Sequence, residues 1–204
     1  MRGRSALSLA ERRHWVFDLD GTLTVAVHDF ALIRAELGVP EGSDILGYLA
    51  AQPEQQAQLL HERLQRIELE LAGVTVAARG AGELLQRLRD NGSRLGILTR
   101  NTRENALRTL DLIGLGGYFE TAHILGREQA LPKPDPDGIL RLAECWGAPS
   151  VDAVMVGDYL YDLQAGRRAG ALTVHVDAGR GFSWPEFTDL PVDSLEELVP
   201  WITG

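Results

Sequence analysis

Short apolar runs alternating with helical patterns constrain this chain more than any other feature. Five runs read as strands: HWVFDLD (14–20), RLGILT (94–99), TAHIL (121–125), DAVMVGD (152–158) and LTVHVDA (172–178). Between them, GELLQRLRDNG sets Leu84, Leu85 and Leu88 on one helical face and stops at Asn91-Gly92. TRENALRTLDLIG does the same with Leu107, Leu110 and Ile113 and stops at Gly114. PDPDGILRLAECWG and LYDLQAGRRAG supply two more helices. This alternation predicts an α/β fold, a Rossmann-like parallel sheet of about five strands with helices on both faces. In such sheets the sites form at the C-terminal ends of the strands.

Residues 25–77 break the rhythm. Phe30, Ile33 and Leu37 have helical spacing, and Leu60, Leu64, Ile67 and Leu71 form the apolar stripe of a longer helix. No strand intervenes, so a small all-helical module inserted after the first strand is expected. The alternative, an elongated crossover connection, is long for its purpose. The organisation expected is a tail at 1–13, an α/β core at 14–24 and 78–204, and the helical module at 25–77.

Composition narrows the function classes. A net charge of −9 argues against a nucleic-acid partner. No apolar run approaches the ~18 residues of a membrane helix. The amino terminus has arginines but no apolar signal core, so a frayed or briefly helical tail is expected rather than a targeting peptide. The only cysteine, Cys145, excludes an internal disulfide and fits a reducing cytoplasm; its place in ILRLAECWGA puts it on a helix's buried side. Lysine usage is more pointed. The chain has 19 arginines and one lysine, Lys133.

Four polar stations fall where a parallel sheet would gather them. Asp18 and Asp20 end the first strand, Thr99 ends the second, Lys133 lies in the loop LPKPDP, and Asp158 ends VMVGD with Asp162 one helical turn on. Residues i and i+2 of an extended chain point the same way, so Asp18 and Asp20 can face one cavity. With Asp158 they make a hard, oxygen-rich site of the kind Mg2+ prefers. A carboxylate can attack phosphorus once cations neutralise the phosphate, and Lys133, fixed between two prolines, is such a cation. A phosphate beside Thr99 could take its hydroxyl and the free N–H groups of the following helix, capped by Asn101 or Thr102. Singly, each station has a plainer reading as a turn former or helix cap. Together, in this order, they point to chemistry.

The set DLDGT, a Thr closing an apolar strand, KPDP and GDYLYD resembles the four signature motifs of the haloacid dehalogenase superfamily, over about residues 14–178. The helical module then resembles the family's helical cap, and the members it looks most like are phosphoglycolate phosphatases. The resemblance implies that Asp18 is a nucleophile forming an aspartyl-phosphate and that Asp20 is the general acid and then the base. Thr99 would bind phosphoryl oxygens, and Lys133 would hold both the phosphate and Asp18. Mg2+ would sit on Asp18, Asp158 and the backbone carbonyl of Asp20, with Asp162 supporting them from behind. Tyr159 stands where the common GDSxxD form has a small residue, and Arg100 where many relatives carry Asn.

Within the superfamily, Asp20 argues against dehalogenation. Lys133, already assigned, leaves no lysine for Schiff-base phosphonate cleavage. The expected activity is a Mg2+-dependent phosphatase acting on a small phosphorylated metabolite. The alternatives are a sugar phosphomutase or a non-catalytic phosphate-binding module. A phospho-accepting receiver domain fits less well, because its acceptor lies on a middle strand and it has no helical insert. Arg100, Asn101 and His28 join Thr99 and Lys133 as candidate substrate contacts. Asp29, Arg34, Asp44 and Tyr48 are further cap residues that could reach in. Phe182, Trp184 and Phe187 are expected to pack on the core, to edge the site or to form a dimer contact. A monomer or homodimer in the cytoplasm, with no membrane partner, is expected.

Overall fold

The computed structural model describes residues 9–27 and 29–202. Six parallel strands form one sheet: β1 (His14–Phe17), β2 (Arg94–Leu98), β3 (Ile124–Leu125), β4 (Ala153–Gly157), β5 (Leu172–Val176) and β6 (Leu190–Val192), in the order β3-β2-β1-β4-β5-β6. The chain leaves β1 towards one edge and returns to start the other half at β4. The order therefore reverses between β1 and β4, and a crevice opens beyond their C-terminal ends.

Alternation along the central strands builds two cores. Trp15 and Phe17 of β1, with Val154 and Val156 of β4, face a layer of Leu84, Leu85 and Leu88 from α4 (Ala81–Asp90) and Leu110 from α5 (Arg103–Leu112). Val16 and Met155, one residue out of phase, face Ile139 and Leu142 of α6 (Asp137–Trp146) and Ala165 and Ala169 of α7 (Leu160–Ala169). Trp15 and Phe17 are fully buried, and each side chain of that size stabilises the sheet by about 1.5–3 kcal/mol. Leu110 is buried, with Leu107 and Ile113 half-buried beside it, so that helix sits as its spacing implies.

Between β1 and α4 lie α1 (Phe30–Leu37), α2 (Ile45–Ala50) and α3 (Glu54–Ala72). They enclose a separate apolar cluster of Ile33, Leu37, Val39, Leu49, Leu60 and Leu64, flanked by Ile67 and Leu71. Phe30, in phase with Ile33 and Leu37, is 54% exposed and lines a cavity instead. The chain crosses out and back side by side: Val25 N–H donates to Val76 O at 3.0 Å and Ala78 N–H to Leu23 O at 2.8 Å.

Several elements differ from the sequence reading. The sixth strand, β6, is only three residues with a proline at its centre, which an edge position tolerates and periodicity cannot register. The first strand stops at Phe17: Asp18 N–H makes a last sheet bond to Val156 O at 2.9 Å, and Leu19–Leu23 then turns. Thr121–His123 is a short turn, leaving β3 two residues long. Cys145 is exposed rather than buried, because Leu142, Ala143 and Ile139 already fill the inner face of α6. Arg12, expected in a loose tail, is buried and donates to Val151 O at 2.7 Å and Ala153 O at 3.1 Å. Among the described residues no helix is long and apolar enough to cross a membrane.

Candidate active site

The crevice beyond β1 and β4 is a cavity of about 470 Å³ lined by Asp18, Asp20, Thr99, Arg100, Asn101, Lys133, Asp158 and Asp162. Every site residue expected from the sequence and described in the structure is thus at one cavity. His28 lies outside the described residues.

Backbone shape delivers the two aspartates. After Phe17 the chain turns through Gly21 at φ +90°, and Thr24 N–H closes the turn on Leu19 O at 3.0 Å. A Cβ at Gly21 would also lie 2.6 Å from Asp158 Oδ2. Glycine is therefore required twice over, by its left-handed conformation and by the carboxylate packed against it. Gly157 answers a similar need at the end of β4, where a Cβ would run into the side chain of Asp162.

Lys133 is the centre of charge. Its buried ammonium lies 2.5 Å from Asp18 Oδ1 and 2.6 Å from Asp162 Oδ1. Asp162 Oδ2 accepts the Tyr159 N–H at 3.1 Å, so both of its oxygens are occupied in fastening the lysine and the start of α7. Asp18, Asp158 and Asp162 offer oxygens that all lie within 4.8 Å of one another. Lys133 on Asp18 and Asp162, and Arg180 at 3.2 Å from Asp158 Oδ2, bring two positive charges to three buried carboxylates. Burial pushes Asp18 up to about 6, against the pull of Lys133 and with the help of Asp158. Burial and then Asp162 raise Asp158 to about 6, and burial raises Asp162 to about 6 against Lys133. Desolvation alone would depress Lys133, but Asp162 and Asp18 outweigh it and hold its pKa above the ordinary lysine value. The crowding is what a divalent cation would relieve, and clustered carboxylate oxygens are the donors Mg2+ takes.

Thr99 and Asn101 behave less simply than expected. Thr99 Oγ1 accepts the Asn101 N–H at 3.0 Å, Asn101 Oδ1 accepts the Thr102 N–H at 2.8 Å, and Thr102 caps α5 through the Asn105 N–H at 3.1 Å. Three of the N–H groups around the start of α5, those of Asn101, Thr102 and Asn105, are thus taken by neighbouring side chains. The Thr99 hydroxyl proton remains available as a donor into the cavity.

Three contributors escaped the sequence reading. Arg180, in the loop after β5, donates to Asp158 Oδ2 at 3.2 Å and to its carbonyl at 3.3 Å. Glu68 on α3 is buried, meets Arg127 Nη1 at 2.7 Å and 3.1 Å, and also lines the cavity. Its signal was present: a carboxylate four residues after Leu64, inside an apolar stripe. Tyr161 underlies Arg100 at 4.8 Å, while Arg100 reaches Asp44 across the cavity at 2.5 Å. Of the other cap candidates, Arg34 and Asp44 line the cavity, whereas Asp29 caps α1 and Tyr48 packs on the cap's apolar cluster. Phe182 packs edgewise and Trp184 tilted on His175, and Trp184 also meets Tyr159, the packing role among those considered.

Comparison with known proteins places this arrangement. The family model of haloacid dehalogenase-like hydrolases matches residues 13–170. The chain belongs to that family. A haloacid dehalogenase-like hydrolase domain-containing protein of Arabidopsis thaliana is 31% identical over 90% of this chain and 80% of its own length. A phosphoglycolate phosphatase of Pseudomonas savastanoi is 28% identical over 91% of this chain and 78% of its own. The crystal structure of a hydrolase from Pseudomonas syringae superposes with a TM-score of 0.77 at 26% identity, covering 93% of this chain and 97% of that one. This haloacid dehalogenase-like chain is therefore a hydrolase with phosphatase-named relatives, and its parallel α/β sheet is that of the family.

Proposed function

We propose that this hydrolase is a Mg2+-dependent phosphatase that cleaves a small phosphate monoester through an aspartyl-phosphate on Asp18. The observation that carries the reading is Asp18 itself, a buried carboxylate held 2.5 Å from Lys133 at the C-terminal end of the central strand, with a second carboxylate, Asp20, on the same cavity.

An Asp18 oxygen attacks phosphorus as the bond to the ester oxygen breaks, and the departing alkoxide takes the proton of Asp20. Asp20 then accepts a proton from water, whose oxygen attacks the phosphorus of the acyl phosphate, releasing inorganic phosphate and restoring Asp18. Lys133 offsets the negative charge on both the nucleophile and the phosphate throughout. Thr99 donates its hydroxyl to a phosphoryl oxygen. Asp18 and Asp158, with the Asp20 carbonyl, would hold Mg2+, which supplies charge neutralisation at the phosphate. Asp162 keeps Lys133 in place.

The test is release of inorganic phosphate from a panel of monoesters, including phosphoglycolate, sugar phosphates, nucleoside monophosphates and an aryl phosphate, with Mg2+ and with EDTA. Magnesium-dependent release is expected. No release from any ester would contradict the reading, and sugar-phosphate isomerisation in its place would favour a phosphomutase.

A further inference from the structure

Five carboxylates around the cavity have a cation at ion-pair distance, whereas one lining cation, Arg34, has no carboxylate at that distance among the described residues. At the sheet end, Lys133 serves Asp18 and Asp162, and Arg180 serves Asp158. At the cap end, Asp44 is paired with Arg100 and Glu68 with Arg127. Arg34 of α1 lines the same cavity, yet its guanidinium donates only to neutral partners, Ser43 O at 3.1 Å and Phe30 O at 3.2 Å. Among the described residues, no carboxylate stands within ion-pair distance of it. The same cavity is also lined by Phe30, Ile33, Ile45, Leu46 and Leu64, apolar groups that strengthen a charge's pull on an incoming anion.

We propose that Arg34 is a specificity subsite that receives a second anionic group on the leaving half of the substrate. The preferred ester then carries a carboxylate or a second phosphate a short carbon chain away from the scissile phosphate. The proposal rests on the phosphatase reading and deepens it. Two carbonyls hold the guanidinium in place, and its planar fork suits either anion. The carbon chain between the two anions would cross the apolar lining.

The experiment compares kcat/KM for phosphoglycolate, ethylene glycol bisphosphate and ethylene glycol monophosphate. These share a two-carbon leaving half and differ in whether it ends in a carboxylate, a phosphate or a neutral hydroxyl. The wild-type enzyme should favour one of the doubly anionic esters, and which one identifies the second anion. In Arg34→Gln that preference should shrink by about tenfold or more, the size of one hydrogen bond to a charged group, and Arg34→Lys should restore part of it. A purely structural role, fastening Ser43, would lower all three esters alike. An unchanged ratio would therefore overturn the proposal while leaving the phosphatase reading intact. A wild-type protein that cleaves none of the three, nor any other monoester, would overturn both.

Discussion

Lys133 and Asp162 meet at 2.6 Å, both buried, on the same ammonium that reaches Asp18 at 2.5 Å. Asp162 thus acts on the nucleophile through the lysine. Asp162→Asn keeps an acceptor for the Tyr159 N–H but removes the charge that holds the ammonium. It should lower kcat/KM by about 10- to 100-fold, as losses of supporting partners do, without unfolding the protein. Gly157→Ala, whose Cβ meets Asp162, should do comparable damage. Steady-state kinetics with circular dichroism decides the point, and full activity in Asp162→Asn would contradict it.

Lys133→Arg tests the compact point charge. A guanidinium keeps the charge but is larger and planar, and the site is 3% exposed with carboxylates on two sides. Activity should fall by at least about 100-fold, through lost transition-state charge neutralisation and overpacking. Near-normal turnover would refute the assigned role.

Relief of carboxylate crowding should be visible as stability. Oxygens of Asp18, Asp158 and Asp162 lie within 4.8 Å of one another, with Lys133 on two of the carboxylates and Arg180 on the third. Mg2+ at 100 times its dissociation constant should stabilise the fold by about 2.7 kcal/mol. The Tm should rise with Mg2+, fall back with EDTA, and lose its response in Asp158→Asn. A Tm indifferent to Mg2+ would count against the metal site.

Glu68, on the cap side of the cavity, gives a pH signature of its own. Burial lifts its pKa to about 7, despite Arg127, from an ordinary value of 4.5. The folded state then binds more protons than the unfolded one between those values, so stability falls as pH rises through that window. Glu68→Gln should remove this component. The wild-type minus variant difference in unfolding free energy should decline between pH 4.5 and 7 and be flat on either side. A difference independent of pH would show that Glu68 does not titrate there.

The site was legible because strand order does most of the gathering. Asp18, Thr99 and Asp158 each follow an apolar strand, and parallel strands deliver their C-terminal ends to one rim. Lys133 was legible through rarity and its flanking prolines. Arg180 and Arg127 were not, because an arginine in a loop among 19 arginines carries no pattern. The outward turn of Cys145 depends on which side of α6 the apolar residues claim, and Ile139, Leu142 and Ala143 take the inner one. The six-stranded extent of the sheet was hidden by the brevity of β6.

The central claim is that Asp18 carries the phosphoryl group. Acid quenching during turnover of a phosphate-labelled monoester with Mg2+, followed by peptide mapping, tests it most directly. A labelled acyl phosphate on the peptide containing Asp18, absent from Asp18→Asn together with all turnover, is the predicted result. Turnover persisting in Asp18→Asn, or label on another residue, would contradict the account.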